Sequence, residues 1–299
     1  MKDGAETMFD VAPLHPLFAA EVRGIDLRAA ADDDAAIDAV RRLADEFGVL
    51  VFPDQDIDDD AQLRFSERFG PLETSRRAHR PEFKKTMRLG MHFSDISNLD
   101  ENERIMGPDD YRLMSLYANR LWHTDSSFKR IPARYSILAA KVLPSQGGDT
   151  EFADLRAAYD GLPDRTKAEI ADKVAIHSIF NSRATIGFHD FTPEERDALP
   201  PVPQAMVRTH PGSGRTSLYI ASHAGAVLGL NEPEARMLLI DLMEHATQRR
   251  YVHAHAWRPG DVVMWDNRCI LHRGRWHPPE EVRELRRTTV SDEVPTVAD

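Results

Sequence analysis

Apolar residues return at three- and four-residue steps in three stretches of the chain, and each spacing predicts a helix with one buried face. From Asp33 onward the set is Ala36, Ile37, Val40, Leu43, Ala44 and Phe47, with acids at the start and Gly48 behind the last turn. Residues 58–69 repeat the pattern more sparsely through Leu63, Phe65 and Phe69 and stop at Gly70-Pro71. The third stretch is the clearest. Asn231 is placed to cap it, Pro233 stands in the first turn, and Ala235, Leu238, Leu239, Leu242, Met243 and Ala246 share a face. Two shorter helices are expected, one capped by Asp154 and running through Tyr159, the other beginning at Pro163-Asp164.

Between the helices, short apolar runs bounded by Gly, Pro, Asn and Asp predict strands at 49–52, 135–143, 150–152, 174–180, 205–209 and 217–220. Residues 18–27 read as a short strand or hairpin. Further strands crowd the C-terminal end, at 251–257, 260–265, 270–272 and 284–290. No parallel β-α-β rhythm and no internal repeat is visible. The chain therefore reads as α+β and mainly β, an antiparallel barrel or jelly roll with flanking helices. Residues 1–299 form a single domain in this reading, with 1–10 frayed, 291–299 flexible and 72–110 a lid or insert.

Composition narrows the function more than the fold. Hydrophobic residues at 41% and charged residues at 29% are those of an ordinary globular protein. A formal net charge of −11 argues against nucleic acid or an anionic membrane as partner. No apolar run approaches the length of a membrane span, and the first residues lack the core of a signal peptide. The single cysteine, Cys269, allows no intramolecular disulfide. A cytoplasmic location is expected, and a homo-oligomer is left open. Against this acidic background Arg76, Arg77, Arg80, Lys84, Lys85 and Arg88 stand out. They make either a solvated surface loop or a mobile lid over a small anionic substrate.

The candidate chemistry starts at Leu121-Trp122-His123-Thr124-Asp125-Ser126-Ser127-Phe128. In an extended segment the side chains of His123 and Asp125 point the same way, a neutral nitrogen beside an anionic oxygen. With 13 His and 49 Asp plus Glu in the chain, chance alone supplies about two His-x-acid pairs, so the pair means little alone. Downstream, a buried-type strand broken by Asp266-Asn267 delivers His272 ahead of Gly274, and Arg283 and Arg287 follow. On a strand Arg283 and Arg287 share a face, where two cations are costly unless each holds an anion. A third histidine pattern, His253-Ala254-His255, could form a second metal site, but the preferred reading is a half-polar strand face.

These blocks, with Pro13-Leu14-His15-Pro16-Leu17-Phe18-Ala19-Ala20, Gly147-Gly148-Asp149-Thr150-Glu151-Phe152, Arg156-Ala157-Ala158-Tyr159-Asp160 and Arg208-Thr209-His210, occur in the order of a known family. The chain resembles the Fe(II)/2-oxoglutarate-dependent dioxygenases of the taurine dioxygenase group, and within it the 2,4-dichlorophenoxyacetate (aryloxyalkanoate) dioxygenases. The resemblance implies a double-stranded β-helix, the cupin-like jelly roll. It implies His123, Asp125 and His272 as the catalytic metal triad, and Thr150 and Arg283 as the clamp on the distal carboxylate of 2-oxoglutarate. Arg287 would hold the acidic group of the primary substrate, and His210 and His223 would line its pocket. Fe(II), 2-oxoglutarate as co-substrate and O2 would be required. The implied reaction hydroxylates a small aromatic carboxylate, an aryloxyacetate such as 2,4-dichlorophenoxyacetate, and cleaves it to a phenol and glyoxylate while succinate and CO2 leave. Residues 72–92 depart from the family's pattern, so taurine, an alkyl sulfate or another carboxylate stays open as substrate. Two His and one Asp also suit Zn2+, but a zinc protein has no evident need of the Thr150–Arg283 clamp.

Overall fold

Strands with no polar face must be covered on both sides. The apolar run Val49–Phe52 and the run Val262–Asp266 are both fully buried, and they lie side by side in the middle of a seven-stranded sheet. The computed structural model describes residues 8–75, 87–108, 110, 112–189 and 191–298. The order across the major sheet is Asp10–Pro13, Ala20–Arg23, Val49–Phe52, Val262–Asp266, Ala133–Val142, Glu284–Ser291 and Phe93–Ser97. Its pairs are antiparallel except Ala20–Arg23 against Val49–Phe52. A minor sheet runs Val252–His255, Thr150–Asp154 and Ile270–Gly274.

Side chains alternate along the central strands, so each sheet face has its own cluster. Val49, Val51, Leu138, Val263, Trp265 and Leu285 meet Phe152 and Ile270 of the minor sheet, which makes the inner layer of a sandwich. Leu50, Phe52, Ile137 and Met264 point the other way, onto Ile37, Val40 and Phe65 of the helices Asp34–Phe47 and Asp59–Glu67. Behind the minor sheet, Ala153 and Leu271 pack with Leu155 and Ala158 of the helix Leu155–Asp160 and Leu242 of the helix Glu232–Ala246. Two facing sheets clad in helices are the expected jelly roll. Among the described residues no helix is long and apolar enough to cross a membrane.

Local chemistry sets the helix ends where it was expected to. Asp33 accepts from Ala35 N and Ala36 N, and Gly48, at φ 72°, closes the same helix in the left-handed region. Asn231 and Glu234 form a reciprocal capping box. Three expectations need correction. The strand expected over 174–180 ends at His177, because the Ser178 side chain accepts from Phe180 N and starts the helix Ile179–Thr185. The stretch 18–27 holds the strand Ala20–Arg23 and the start of a helix, Leu27–Ala30, capped by Asp26. At the N-terminus, Asp10 already belongs to a strand. Of the basic stretch, Arg76, Arg77, Arg80, Lys84 and Lys85 lie outside the described residues. Arg88 lies within them and is pinned between Asp95 and Glu284.

Candidate active site

His123 and His272 meet because the segment before Thr124 pairs with the strand Ile270–Gly274. His123 N donates to His272 O at 3.0 Å, and His272 N returns the bond to His123 O at 2.8 Å. The ring centroids are 4.2 Å apart. Asp125 completes the group, with Oδ1 4.0 Å from His123 Nε2 and Oδ2 3.6 Å from His272 Nε2. All three are buried, and their candidate ligand atoms lie within 4.8 Å of one another.

The protonation states suit a divalent metal. His123 Nδ1 is 2.7 Å from Leu121 O, which can only accept, so Nδ1 carries the proton and Nε2 the lone pair. Burial lowers the pKa of His123 and pushes that of His272 well down, which keeps both rings neutral. Burial raises the Asp125 carboxyl, but the Arg287 guanidinium and the hydrogen bond from Ser136 hold it below the usual carboxylate range. Two neutral imidazole nitrogens and one carboxylate oxygen are the donor set of a non-haem Fe(II) site with open positions. The residues fit the iron.

Two cavities meet at His123 and Arg287. The larger, about 550 Å³, is lined by Leu138, Thr150, Trp265, His272 and Arg283 among others. Arg283 donates from Nη2 to Gly148 O at 2.8 Å, while its Nε is buried with no partner. Among the described residues no carboxylate lies within ion-pair distance of it, and burial pushes its pKa down to about 10. A buried cation without an anion calls for one from outside. Thr150 Oγ1 accepts from Trp257 Nε1 at 3.0 Å, which leaves its own proton for an acceptor in the cavity.

The smaller cavity, about 160 Å³, has Phe128, Lys129, Arg183, His223 and Arg287 in its wall. His223 packs edge-on against Phe128 at 5.0 Å and His123 at 6.1 Å between ring centroids. Its Nδ1 is 2.9 Å from Ser127 Oγ, which lies 3.0 Å from His177 Nδ1. Arg287 stands where the cavities join, with Nη1 2.6 Å from Asp125 Oδ1.

His210 is not brought to either cavity. It is fully buried; its Nδ1 accepts from Ser213 N at 3.1 Å and its Nε2 donates to Asp266 Oδ2 at 2.9 Å. Its position is that of a satisfied core histidine, which corrects the expectation of a pocket residue. Asp266 and Cys269 lie close enough to make a ligand trio with it. Arg268 already forks onto Asp266, however, and burial pushes the Cys269 thiol up, so Asp266 is engaged and Cys269 keeps its proton. His255 is 3.0 Å from Asp261, and among the described residues His253 joins no metal-binding cluster.

Sequence reasoning assigned no role to Ser136, Asn267, Ser127 or His177, all buried around the site. Only Asn267 carried a signal, as an amide interrupting an apolar run.

Comparison with known proteins gives the family. The profile of the family described as taurine catabolism dioxygenase TauD, TfdA family matches residues 10–289. An alpha-ketoglutarate-dependent 2,4-dichlorophenoxyacetate dioxygenase of Cupriavidus pinatubonensis is 48% identical over 283 residues, 94% of this chain and 97% of the relative. An (S)-phenoxypropionate/alpha-ketoglutarate-dioxygenase of Sphingobium herbicidovorans is 37% identical, covering 89% of this chain and 88% of the relative. The crystal structure of AAD-2 in complex with Mn(II) and N-oxalylglycine superposes with a TM-score of 0.89 at 42% identity, over 97% of this chain and 99% of that one.

Proposed function

This chain belongs to the taurine catabolism dioxygenase TauD, TfdA family, and we propose that His123, Asp125 and His272 hold its iron while the adjoining cavity takes an aryloxyalkanoate. It is an Fe(II)- and 2-oxoglutarate-dependent dioxygenase. When bound, the iron supplies the oxidising chemistry, in which 2-oxoglutarate and O2 give succinate, CO2 and one oxygen atom for the substrate.

The protein's share is binding, orientation and charge. Arg283 and Thr150 hold the distal carboxylate of 2-oxoglutarate in the larger cavity, where low dielectric strengthens a charge-assisted bond. Arg287 takes the substrate's carboxylate, and Phe128 and His223 confine its ring beside the metal ligands. That placement brings the carbon between ether oxygen and carboxylate toward the triad. Hydroxylation there makes a hemiacetal, whose C–O bond to the aryl oxygen breaks to release a phenol and glyoxylate. The observation that carries the reading is Arg283, a buried unpaired cation sharing a cavity with the two histidines that Asp125 joins in one ligand cluster. The relatives named for 2,4-dichlorophenoxyacetate and (S)-phenoxypropionate support the substrate class. A net charge of −11 and one buried cysteine support a cytoplasmic setting without nucleic acid or membrane.

The test is succinate release with Fe(II), ascorbate and 2-oxoglutarate across aryloxyacetates, aryloxypropionates, arylpropionates, indole acetate and taurine. An aryloxyalkanoate should give the highest turnover. If taurine or a non-aromatic acid leads instead, the substrate assignment fails while the reaction class stands. Asp125→Ala should abolish succinate formation with every substrate.

A further inference from the structure

Asn267 stands in the turn between the strands Val262–Asp266 and Ile270–Gly274 and is fully buried. An amide at that depth has to place both its oxygen and its nitrogen. Its Oδ1 accepts from Trp265 Nε1 and from the backbone N of Asp125, each at 3.0 Å. Its backbone carbonyl accepts from Thr124 Oγ1 at 2.8 Å. Its Nδ2 donates to Ser136 Oγ at 2.9 Å, and Ser136 Oγ donates to Asp125 Oδ2 at 2.6 Å.

The direction of this relay follows from chemistry. Two N–H donors point at one end of the amide, so that end is the oxygen. A carboxylate only accepts, so the Ser136 proton is committed to Asp125 and the Ser136 lone pairs are left for Asn267. One side chain therefore grips Asp125 twice: directly at its backbone N–H, and through Ser136 at its carboxylate. The same turn leads into the strand that carries His272, while Ser136 sits on the neighbouring strand Ala133–Val142. The acid of the triad lies outside any strand, yet it is referenced to two strands of the major sheet.

We propose that Asn267, acting through Ser136, is the positioning residue of the iron centre. The relay fixes the rotation of the Asp125 carboxylate before metal arrives and occupies Oδ2, so that Arg287 on Oδ1 cannot swing the group away from the histidines. This rests on the reading of His123, Asp125 and His272 as the metal ligands. Neither Asn267 nor Ser136 touches the metal or the substrate, and outer partners of this kind set how tightly a ligand binds.

The test uses the full chain with Mn(II) as probe, titrated by electron paramagnetic resonance in the presence of 2-oxoglutarate. Thermal midpoints of the metal-free proteins are measured in parallel. Ser136→Ala removes the relay's hydroxyl, and Ser136→Cys keeps the volume with a weaker donor. Ser136→Ala should weaken Mn(II) binding by about 10- to 100-fold, with the Cys variant between it and wild type. Wild-type Mn(II) affinity in either folded variant would overturn the proposal, even if its midpoint drops, because a purely structural tie would lower the midpoint alone. Should the Ala variant fail to fold, the Cys variant decides by the same criterion. Asp125→Ala separates the two levels: it should lose Mn(II) altogether, and if it binds as wild type the triad reading has failed rather than the relay.

Discussion

At the scale of single residues, Arg287 has two claims on one guanidinium. It faces Asp125 at 2.6 Å in the protein alone, and it stands at the junction of the two cavities. In the proposed function a cation on Asp125 would free the charge of Arg287 for the carboxylate of the substrate. Arg287→Gln should then raise the KM for the primary substrate about 10- to 100-fold, the worth of one charge-assisted hydrogen bond, and change the KM for 2-oxoglutarate much less. Equal effects on both, measured in one steady-state series, would mean that its role is misassigned. His123, Asp125 and His272, which the structure brings together, were legible as a group because the family resemblance carries them in order along the chain. Ser136 and Asn267 were not: hydrogen-bond partners 131 positions apart leave no local pattern to read. His210 shows the opposite error. It matched a block of the family, yet its partner Asp266 lies 56 positions on, and nothing in its spacing distinguished a buried pair from a pocket wall.

At the scale of elements, the turn Gly147-Gly148 packs on Arg283, the residue proposed to clamp the co-substrate. Both residues have positive φ, 69° and 77°, and a side chain at either would be strained. A Cβ on Gly148 would lie 2.9 Å from Arg283 Nε and 3.2 Å from Arg283 Cδ; on Gly147 it would lie 2.4 Å from the carbonyl oxygen of Trp276. The Arg283 side chain can move aside, but the Trp276 backbone cannot without carrying its loop. Gly148→Ala should therefore raise the KM for 2-oxoglutarate selectively. Gly147→Ala should mainly cost stability, more than about 1 kcal/mol. Chemical denaturation alongside KM measurements checks the split, and it fails if Gly148→Ala leaves 2-oxoglutarate binding untouched. Elements with local signals were readable from sequence for the same reason that this turn was. Asp33, Asp58, Asp154 and Asn231 each cap a helix where expected, and Gly48 ends one. The short helix Leu113–Ala118 was missed, since it has no acid in its first turn and no basic residue in its last. The way the two sheets face each other was readable only through the family, because strand order depends on pairings far apart in the chain.

For the whole molecule, the consequence of burying histidines is sensitivity to acid. His177 is fully buried, and burial lowers its pKa to about 3; burial, with His255 and His15, lowers His253 to about 4. In the unfolded chain both return to about 6.5, so between that pH and the folded values the unfolded state binds more protons. Stability then rises with pH across that window and is lost as pH falls from about 6.5 toward 4. One such group contributes a slope of at most about 1.4 kcal/mol per pH unit. His177 also fixes the tautomer of His223 through Ser127. An unpaired buried N–H is rarer than an unpaired lone pair, so the bare Nε2 of His177 puts its proton on Nδ1. That proton goes to Ser127 Oγ, and the Ser127 hydroxyl donates to His223 Nδ1. His177→Asn, which removes the titration but keeps a donor for Ser127, should flatten the decline of stability between pH 6.5 and 4 by up to one proton's worth. Denaturant unfolding at a series of pH values measures that slope directly. An unchanged slope would mean that His177 is already protonated in the folded protein, and the tautomer chain drawn from it to His223 would fall with it.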